Sequence, residues 1–189
     1  MFATHSSPTR SLGPGVRHLA CIGLMGAGKS TVGHLLADHL GWGFVDVDET
    51  IEAMTHCTVQ QLWEHGGEDA YRPFERDVVV DTLDAPDHRV LAAPGGVVLD
   101  RDAMAAIAAG DVVAVYLRAQ PSTLARRIDL DADHQRPLVD GHAEAVMRSL
   151  FSARDRCYEQ LADHIVQVDE LTPEETATAV LDAVTATRR

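Results

Sequence analysis

The sequence predicts an α/β domain in which a central parallel β-sheet carries helices on both of its faces. Short apolar runs alternate along the chain with longer segments whose apolar residues recur at helical spacing, the pattern typical of this class. The 189 residues, 46% of them hydrophobic, are enough for one domain with a buried core. We therefore expect a single domain over 17–189, after a disordered leader over 1–16 that is rich in Ser, Pro and Gly.

Five apolar runs have the length and composition of buried parallel strands. They cover 18–24, 43–48, 88–93, 111–117 and 164–169. The first ends in Gly23-Leu24, the second ends in aspartate, and the third is followed directly by the Pro94-Gly95-Gly96 sequence. The fourth, "DVVAVYL", is the clearest strand signal in the chain.

Helical periodicity or helix-capping residues occupy the intervals between these strands. The predicted helices cover 29–40, 48–56, 58–65, 68–83, 100–109, 121–128, 142–160 and 172–186. Thr58 is an expected N-cap, and the sequence Thr-Pro-Glu-Glu at 172–175 is a capping box with proline at the first helical position. Pro73 is expected in the first turn of its helix or at a bend. The polar, turn-rich segment 129–141 predicts a mobile lid.

Charge and composition limit the classes of partner. A formal net charge of −13 argues against general nucleic-acid binding, which relies on clustered Lys and Arg. No apolar stretch approaches the roughly 20 residues of a membrane span, and the N-terminus lacks the apolar segment of a secretory signal. Three cysteines without metal-ligand spacing indicate reduced thiols. We therefore expect a cytoplasmic protein with no nucleic-acid or membrane partner. The charge does not exclude a small anionic ligand held by a local basic pocket.

The single lysine of the chain lies in "GLMGAGKSTVG", residues 23–33. Residues 23–30 match G-x-x-x-x-G-K-[ST] between a predicted strand and a predicted helix, which indicates a P-loop. Its backbone N–H groups and the helix N-terminus favour a polyphosphate, Lys29 can reach the β- and γ-phosphates, and the Ser30 hydroxyl can ligate Mg²⁺. The candidate nucleotide-binding residues of this loop are Gly26, Ala27, Gly28, Lys29, Ser30 and Thr31. A glycine-rich turn with an incidental lysine is the weaker interpretation.

Two aspartates end the second predicted strand, in "FVDVDETIE". Asp46 and Asp48 are two residues apart, so on a strand both side chains would point the same way at the carboxyl end of the sheet. One could hold Mg²⁺ directly or through water, and the other could accept hydrogen bonds from substrate hydroxyls. Alternatively, Asp48 is only a helix N-cap and Asp46 is merely exposed. The residue types alone do not decide between these interpretations.

Taken together, the motifs resemble the shikimate kinase family over nearly the whole chain after the leader. They are, in order, "GLMGAGKSTVG", "FVDVDETIE", "TVQQLWEHGGEDAYRPFERDVV", "LAAPGGVV", "QRPLV" and "ARDRCYEQLAD". The resemblance implies a single P-loop NTPase domain of the nucleoside-monophosphate-kinase-like type, acting as a monomer with ATP and Mg²⁺. It further implies ATP-dependent phosphorylation of the 3-hydroxyl of shikimate in aromatic amino acid (chorismate) biosynthesis.

The same resemblance implies a role for individual side chains. Those with an implied catalytic role are Lys29, Asp48 and Arg136. Ser30 and Asp46 would hold Mg²⁺, while Arg127 would stack over adenine and Arg136 would reach the transferred phosphoryl group from the lid. The implied substrate-binding residues are Asp48, Arg72, Gly95, Gly96 and Arg154. Arg72 and Arg154 would clamp the substrate carboxylate, with Glu75 orienting Arg72.

From the residues alone, each of these arginines also has a purely structural interpretation. Arg72 and Glu75, at i and i+3, could form a surface ion pair worth less than about 1 kcal/mol. Arg154 could belong to a solvated helix face, and Arg136 could simply precede a turn at Pro137.

The identity of the acceptor also stays open. The family usually has three glycines where this chain has Pro94-Gly95-Gly96, and proline lacks a backbone N–H. A P-loop kinase for a related polyol acid, of gluconate or aminoshikimate type, is therefore an alternative. A nucleotide-binding regulator without transfer activity is another, although a regulator needs no acceptor clamp of the kind that Arg72 and Arg154 would form.

Overall fold

The computed structural model describes residues 12, 13, 15–130 and 143–186. Within these ranges the chain forms five β-strands, seven α-helices and one short 3-10 helix at Val97–Leu99. The strands are β1 His18–Ile22, β2 Gly43–Asp46, β3 Arg89–Ala92, β4 Val112–Arg118 and β5 His164–Gln167. The helices are α1 Lys29–Leu40, α2 Val47–Thr55, α3 Val59–Asp84, α4 Arg101–Ile107, α5 Pro121–Leu130, α6 Ala143–Leu161 and α7 Pro173–Ala186.

The five strands form one parallel sheet in the order β2-β3-β1-β4-β5. The connection from β1 leads to β2 at one edge of the sheet. Every later connection leads toward the opposite edge, which is formed by β5. Since such crossovers are right-handed, α1 covers one face and α2 to α6 cover the other. Helix α7 packs against α1 and joins it on the first face. The predicted α/β fold with helices on both faces is confirmed, and β1, covered on both sides, is fully buried.

The junction of β2 and α2 differs from the prediction. The strand ends at Asp46 and the helix begins at Val47, so Asp48 lies in the first turn of α2 and not on the strand. The N-cap is Asp46, whose side chain accepts from the backbone N–H groups of Asp48 and Glu49. The expectation that both aspartates lie on one strand is therefore wrong, and so is the alternative that Asp48 caps the helix.

Helix α3 joins two helices that the sequence analysis predicts separately. Thr58 caps it through a capping box with Gln61, as expected. The break between the two segments falls at Gly67, whose φ of 67° lies in the left-handed region that favours glycine. Pro73 lies six residues further on, inside the helix, so the non-helical residue is Gly67 rather than Pro73.

Two predicted features fall largely outside the described residues. The lid over 129–141 is described only as far as the end of α5. Of the leader over 1–16, the described residues include Leu12 and Val16, which are buried. Among the described helices, none is both long enough and apolar enough to cross a lipid bilayer.

Candidate active site

A pocket opens at the carboxyl edge of the sheet, where α/β folds commonly bind ligands. Parallel pairing brings the loops after β1, β2 and β3 to this edge, and α3 and α6 close the sides. Its basic lining residues are Lys29, Arg72 and Arg154, and its acidic ones are Asp46, Asp48 and Glu75. The fold thus collects residues that are up to 125 positions apart, from 29 to 154, around one cavity.

The P-loop has the backbone conformation that its glycines predict. Gly26 and Gly28 have φ values of 78° and 89°, which side-chain-bearing residues rarely adopt. A Cβ at Gly26 would also stand 2.9 Å from the Leu124 carbonyl oxygen. The Lys29 Nζ donates to the Leu24 carbonyl at 3.0 Å, so the lysine folds back along the loop. Lys29 and Ser30 line the pocket, whereas Thr31 is exposed beside it.

Ser30 and Asp46 form the hydroxyl–carboxylate pair expected of a magnesium site. The Ser30 Oγ donates to the Asp46 Oδ2 at 2.5 Å, while Oδ1 of Asp46 accepts from the Asp48 N–H at 2.9 Å. Among the described residues no group of three His, Cys, Asp or Glu side chains could hold a metal. Two oxygen ligands suit Mg²⁺, which keeps several waters and usually binds through one or two protein groups and substrate phosphates.

Asp48 faces the pocket from the first turn of α2. It reaches the cavity because α2 begins directly after β2 ends. Its Oδ1 accepts a hydrogen bond of 2.7 Å from the hydroxyl of Tyr71, a buried residue of α3. Sequence reasoning assigned Tyr71 no role, although it directly precedes Arg72 in the segment "TVQQLWEHGGEDAYRPFERDVV" that contributes to the family resemblance. The contact itself joins residues 23 positions apart and depends on how α2 packs against α3.

Arg72 is held by two carboxylates and an aromatic ring. Its Nη1 donates to Oε2 of Glu75 at 2.5 Å, and its Nε donates to Oε1 of Glu68 at 2.9 Å. Its guanidinium carbon lies 5.7 Å from the centre of the Trp63 ring, within cation–π range. With side chains only 20% and 8% exposed, Arg72 and Glu75 form a largely buried pair in the pocket. The interpretation as a surface ion pair is wrong, and sequence reasoning missed Glu68 and Trp63.

The titration of this pair reflects its burial. Burial raises the pKa of Glu75 to about 7, because the Arg72 guanidinium offsets only part of the cost of burying a charged carboxylate. Burial alone would lower the pKa of Arg72, but Glu75 and Glu68 outweigh it and the pKa lies above its usual value. Arg72 therefore stays charged.

The glycines after β3 lie between the two arginines of the pocket. The Gly95 carbonyl accepts from Nη1 of Arg154 at 2.8 Å and from the hydroxyl of Tyr158 at 2.6 Å. A Cβ at Gly96 would stand 1.8 Å from Nη1 of Arg72. Arg154 thus belongs to the pocket lining and not to a merely solvated helix face.

Arg127 lies beside the P-loop rather than in the pocket. Its Nη2 donates to the Val168 carbonyl at 2.6 Å, and its Nη1 donates to the Gly26 carbonyl at 3.5 Å. The stacking of Arg127 on adenine stays a prediction. Arg136 lies outside the described residues, so its predicted contact with the phosphoryl group stays a prediction as well.

Known proteins are similar to this chain in sequence and in fold. The family model described as shikimate kinase matches residues 25–185. The shikimate kinase of Streptomyces coelicolor is 39% identical over 166 residues, which span 88% of this chain and 94% of that protein. The shikimate kinase of Pseudomonas entomophila is 40% identical over 159 residues, or 84% and 90% of the two chains.

A solved structure extends the likeness to three dimensions. The shikimate kinase from Acinetobacter baumannii in complex with shikimate superposes on this chain with a TM-score of 0.85. The two are 28% identical, and the match covers 92% of this chain and 95% of that one.

Proposed function

Because this chain belongs to the shikimate kinase family, we propose that its pocket transfers the γ-phosphoryl group of ATP to the 3-hydroxyl of shikimate. One observation carries the proposal: a phosphate-binding loop and a pair of arginines line the same cavity, with the carboxylate of Asp48 also in its wall. The loop suits a nucleoside triphosphate, and the arginines suit the carboxylate of the acceptor. The reaction is a step of aromatic amino acid biosynthesis.

The acceptor carboxylate binds between Arg72 and Arg154. Guanidinium groups form charge-assisted and often bidentate hydrogen bonds with carboxylates. Glu75 and Trp63 hold the Arg72 guanidinium in place, and Gly95 receives the Arg154 guanidinium. Gly95 and Gly96 let the backbone approach the acceptor ring closely.

Asp48 accepts the proton of the attacking hydroxyl. Phosphoryl transfer needs little covalent help from a protein, so positioning and neutralisation of charge carry most of the catalysis. The hydrogen bond from Tyr71 holds one oxygen of the Asp48 carboxylate in the pocket wall. Lys29 neutralises charge that develops on the transferred group, and Arg136 adds a second cation from the lid.

Gly26 to Thr31 cradle the phosphates of ATP, and Arg127 stacks over the adenine. Ser30 and Asp46 hold Mg²⁺, and their hydroxyl–carboxylate pair supplies oxygen ligands of the kind that this ion prefers. When bound, the ion neutralises phosphate charge and orients the phosphates. We further propose that the chain acts as a cytoplasmic monomer without nucleic acid, which suits its net charge of −13.

A coupled assay of ADP release with ATP and Mg²⁺ tests the proposal. We expect strong stimulation by shikimate and none by gluconate supplied in parallel. Stimulation by gluconate instead of shikimate would refute shikimate as the acceptor and would implicate Pro94, which lines the pocket where the family usually has glycine. Nucleotide binding without stimulation by any of these acids would favour a regulator without transfer activity.

A further inference from the structure

Helix α6 presents two donors to one backbone oxygen. Arg154 and Tyr158 are four residues apart and so lie on the same face of the helix. The Nη1 of Arg154 and the hydroxyl of Tyr158 donate to the Gly95 carbonyl at 2.8 and 2.6 Å. A carbonyl oxygen has two lone pairs, and α6 therefore engages both of them. Arg154 lines the pocket, whereas Tyr158 lies behind it and is fully buried.

The Tyr158 ring is itself held from behind by strand β4. It stacks on the ring of Tyr116, with 5.0 Å between the ring centres and 29° between the planes. The Tyr116 hydroxyl donates to Asp155 on α6 at 2.9 Å, and Arg118 donates to the same carboxylate at 2.9 Å. The Tyr158 hydroxyl is thus a rigid donor. Burial also raises its pKa well above the usual range, so the hydroxyl keeps its proton.

The same peptide group connects Tyr158 to the second arginine. The carbonyl of Gly95 and the N–H of Gly96 point in opposite directions in one planar peptide unit. The hydrogen bonds from Arg154 and Tyr158 hold the Gly95 carbonyl toward α6 and so fix the plane of this peptide unit. Because the nitrogen and α-carbon of Gly96 belong to the same plane, the position of Gly96 is fixed with it. Gly96 in turn abuts the Arg72 guanidinium, since a Cβ there would stand 1.8 Å from Nη1.

We propose that Tyr158 is a positioning residue for acceptor binding, which holds Gly95 and Gly96 so that Arg154 and Arg72 face one carboxylate at a set separation. The inference rests on the proposed function, because it assigns both arginines to the acceptor. It goes beyond that function in giving a task to a side chain that never touches the substrate. The Tyr158 hydroxyl bonds to Gly95 and not to the phosphate-binding loop. The start of that loop does lie beside Gly95, where a Cβ would stand 3.6 Å from the backbone nitrogen of Met25, so we expect nucleotide binding to respond to Tyr158 much less than acceptor binding does.

The test compares two variants that each lose one buried hydroxyl from the stacked pair. Tyr158→Phe removes the donor to Gly95 and keeps the ring against Tyr116. Tyr116→Phe is the matched control, because its hydroxyl bonds to Asp155 and has no contact with Gly95. We expect Tyr158→Phe to raise KM for shikimate roughly three- to tenfold, the effect of one lost hydrogen bond, with a much smaller change in KM for ATP. Because each variant loses one buried hydroxyl, the two should lower Tm by similar amounts. Tyr116→Phe, however, should leave both KM values near those of the parent chain.

Three outcomes overturn the inference. Equal KM values for shikimate in the two variants would make Tyr158 a purely structural residue, and a parallel rise in KM for ATP would make its effect a general loosening of the fold. The third test is a double-mutant cycle that combines Tyr158→Phe with Arg154→Lys and measures shikimate affinity by calorimetry. We expect the two substitutions to be coupled, and losses of affinity that simply add in the double variant would overturn the inference. The proposed function fails if the parent chain shows no shikimate-dependent turnover. The inference about Tyr158 fails if the parent chain is active and the variants behave as just described, so the two failures are distinguishable.

Discussion

The guanidinium of Arg72 lies against the α-carbon of Gly96, so closely that a Cβ added there would stand 1.8 Å from its Nη1 atom. Gly96→Ala must therefore displace the end of the arginine side chain. We expect KM for shikimate to rise roughly ten- to hundredfold, because a charge-assisted contact is misplaced, while Tm changes little. At Gly95 a Cβ would have its nearest neighbour at 3.6 Å, an ordinary contact, so Gly95→Ala should raise KM much less. Steady-state kinetics on both variants measure this, and equal effects would contradict it.

Arg72→Ala should abolish acceptor-dependent turnover and leave nucleotide binding near normal. The change removes one of two cations proposed to bind the acceptor carboxylate and leaves Glu75 buried without its partner. We expect kcat/KM for shikimate to fall by about a hundredfold or more. Arg76→Ala on the same helix is the control, since Arg76 pairs with Asp77 at the surface. Loss of ATP affinity in the Arg72 variant, measured by calorimetry, would count against the assignment.

Asp46 caps α2 and is proposed to hold Mg²⁺ as well, and substitutions can separate these two roles. As the N-cap of α2 it needs only an acceptor oxygen, whereas a magnesium ligand also needs the negative charge. Asp46→Asn should keep Tm near that of the parent chain and raise the Mg²⁺ concentration required for turnover. Asp46→Ala should also lower the free energy of unfolding by about 1 kcal/mol, the usual cost of a lost cap. Magnesium titrations and thermal melts test the separation, and an unchanged Mg²⁺ requirement in both variants would exclude Asp46 as a ligand.

Glu75 should make the stability of the chain depend on pH between about 4.5 and 7. Its pKa is raised from 4.5 to about 7 by burial, so the folded chain keeps this proton at pH values where the unfolded chain has released it. The contribution of Glu75 to the unfolding free energy is therefore full below pH 4.5 and is lost as the pH rises through about 7. Urea unfolding of the parent chain and Glu75→Gln should show the parent losing stability relative to the variant over this range. A relative gain would mean that Arg72 keeps the carboxylate ionised.

His18 should have the opposite effect. Its side chain is fully buried in β1, and burial, with Arg17 nearby, lowers its pKa below 6.5. As the pH falls through about 6.5, the imidazole of the unfolded chain takes up a proton, whereas the buried imidazole of the folded chain takes it up only at lower pH. The contribution of His18 to the free energy of unfolding is therefore full above pH 6.5 and is lost as the pH falls below it. His18→Gln should flatten the acid side of the stability curve. Unfolding measured between pH 5 and 7.5 tests this, and parallel curves for the two chains would disprove it.

Local sequence signals accounted for the elements and for the P-loop. Apolar runs, caps and glycines act over a few residues, so Thr58 and Gly28 could be interpreted without the fold. The junction of β2 and α2 could not be placed, because pairing with β3 decides where the strand stops. That difference of two residues decides which aspartate caps the helix and which one faces the pocket from its first turn.

By itself, the sequence determined the α/β class, the phosphate-binding loop and the residue types available to a site. The resemblance already implied a shared site for Arg72 and Arg154, but only the tertiary structure decided which contacts hold them there, with Gly95 bonded to Arg154 and Gly96 against Arg72. The hydroxyls of Tyr71 and Tyr158 acquire partners 23 and 63 positions away in the chain. Contacts at such separations arise from the packing of helices on the sheet, and no periodicity or local motif encodes them.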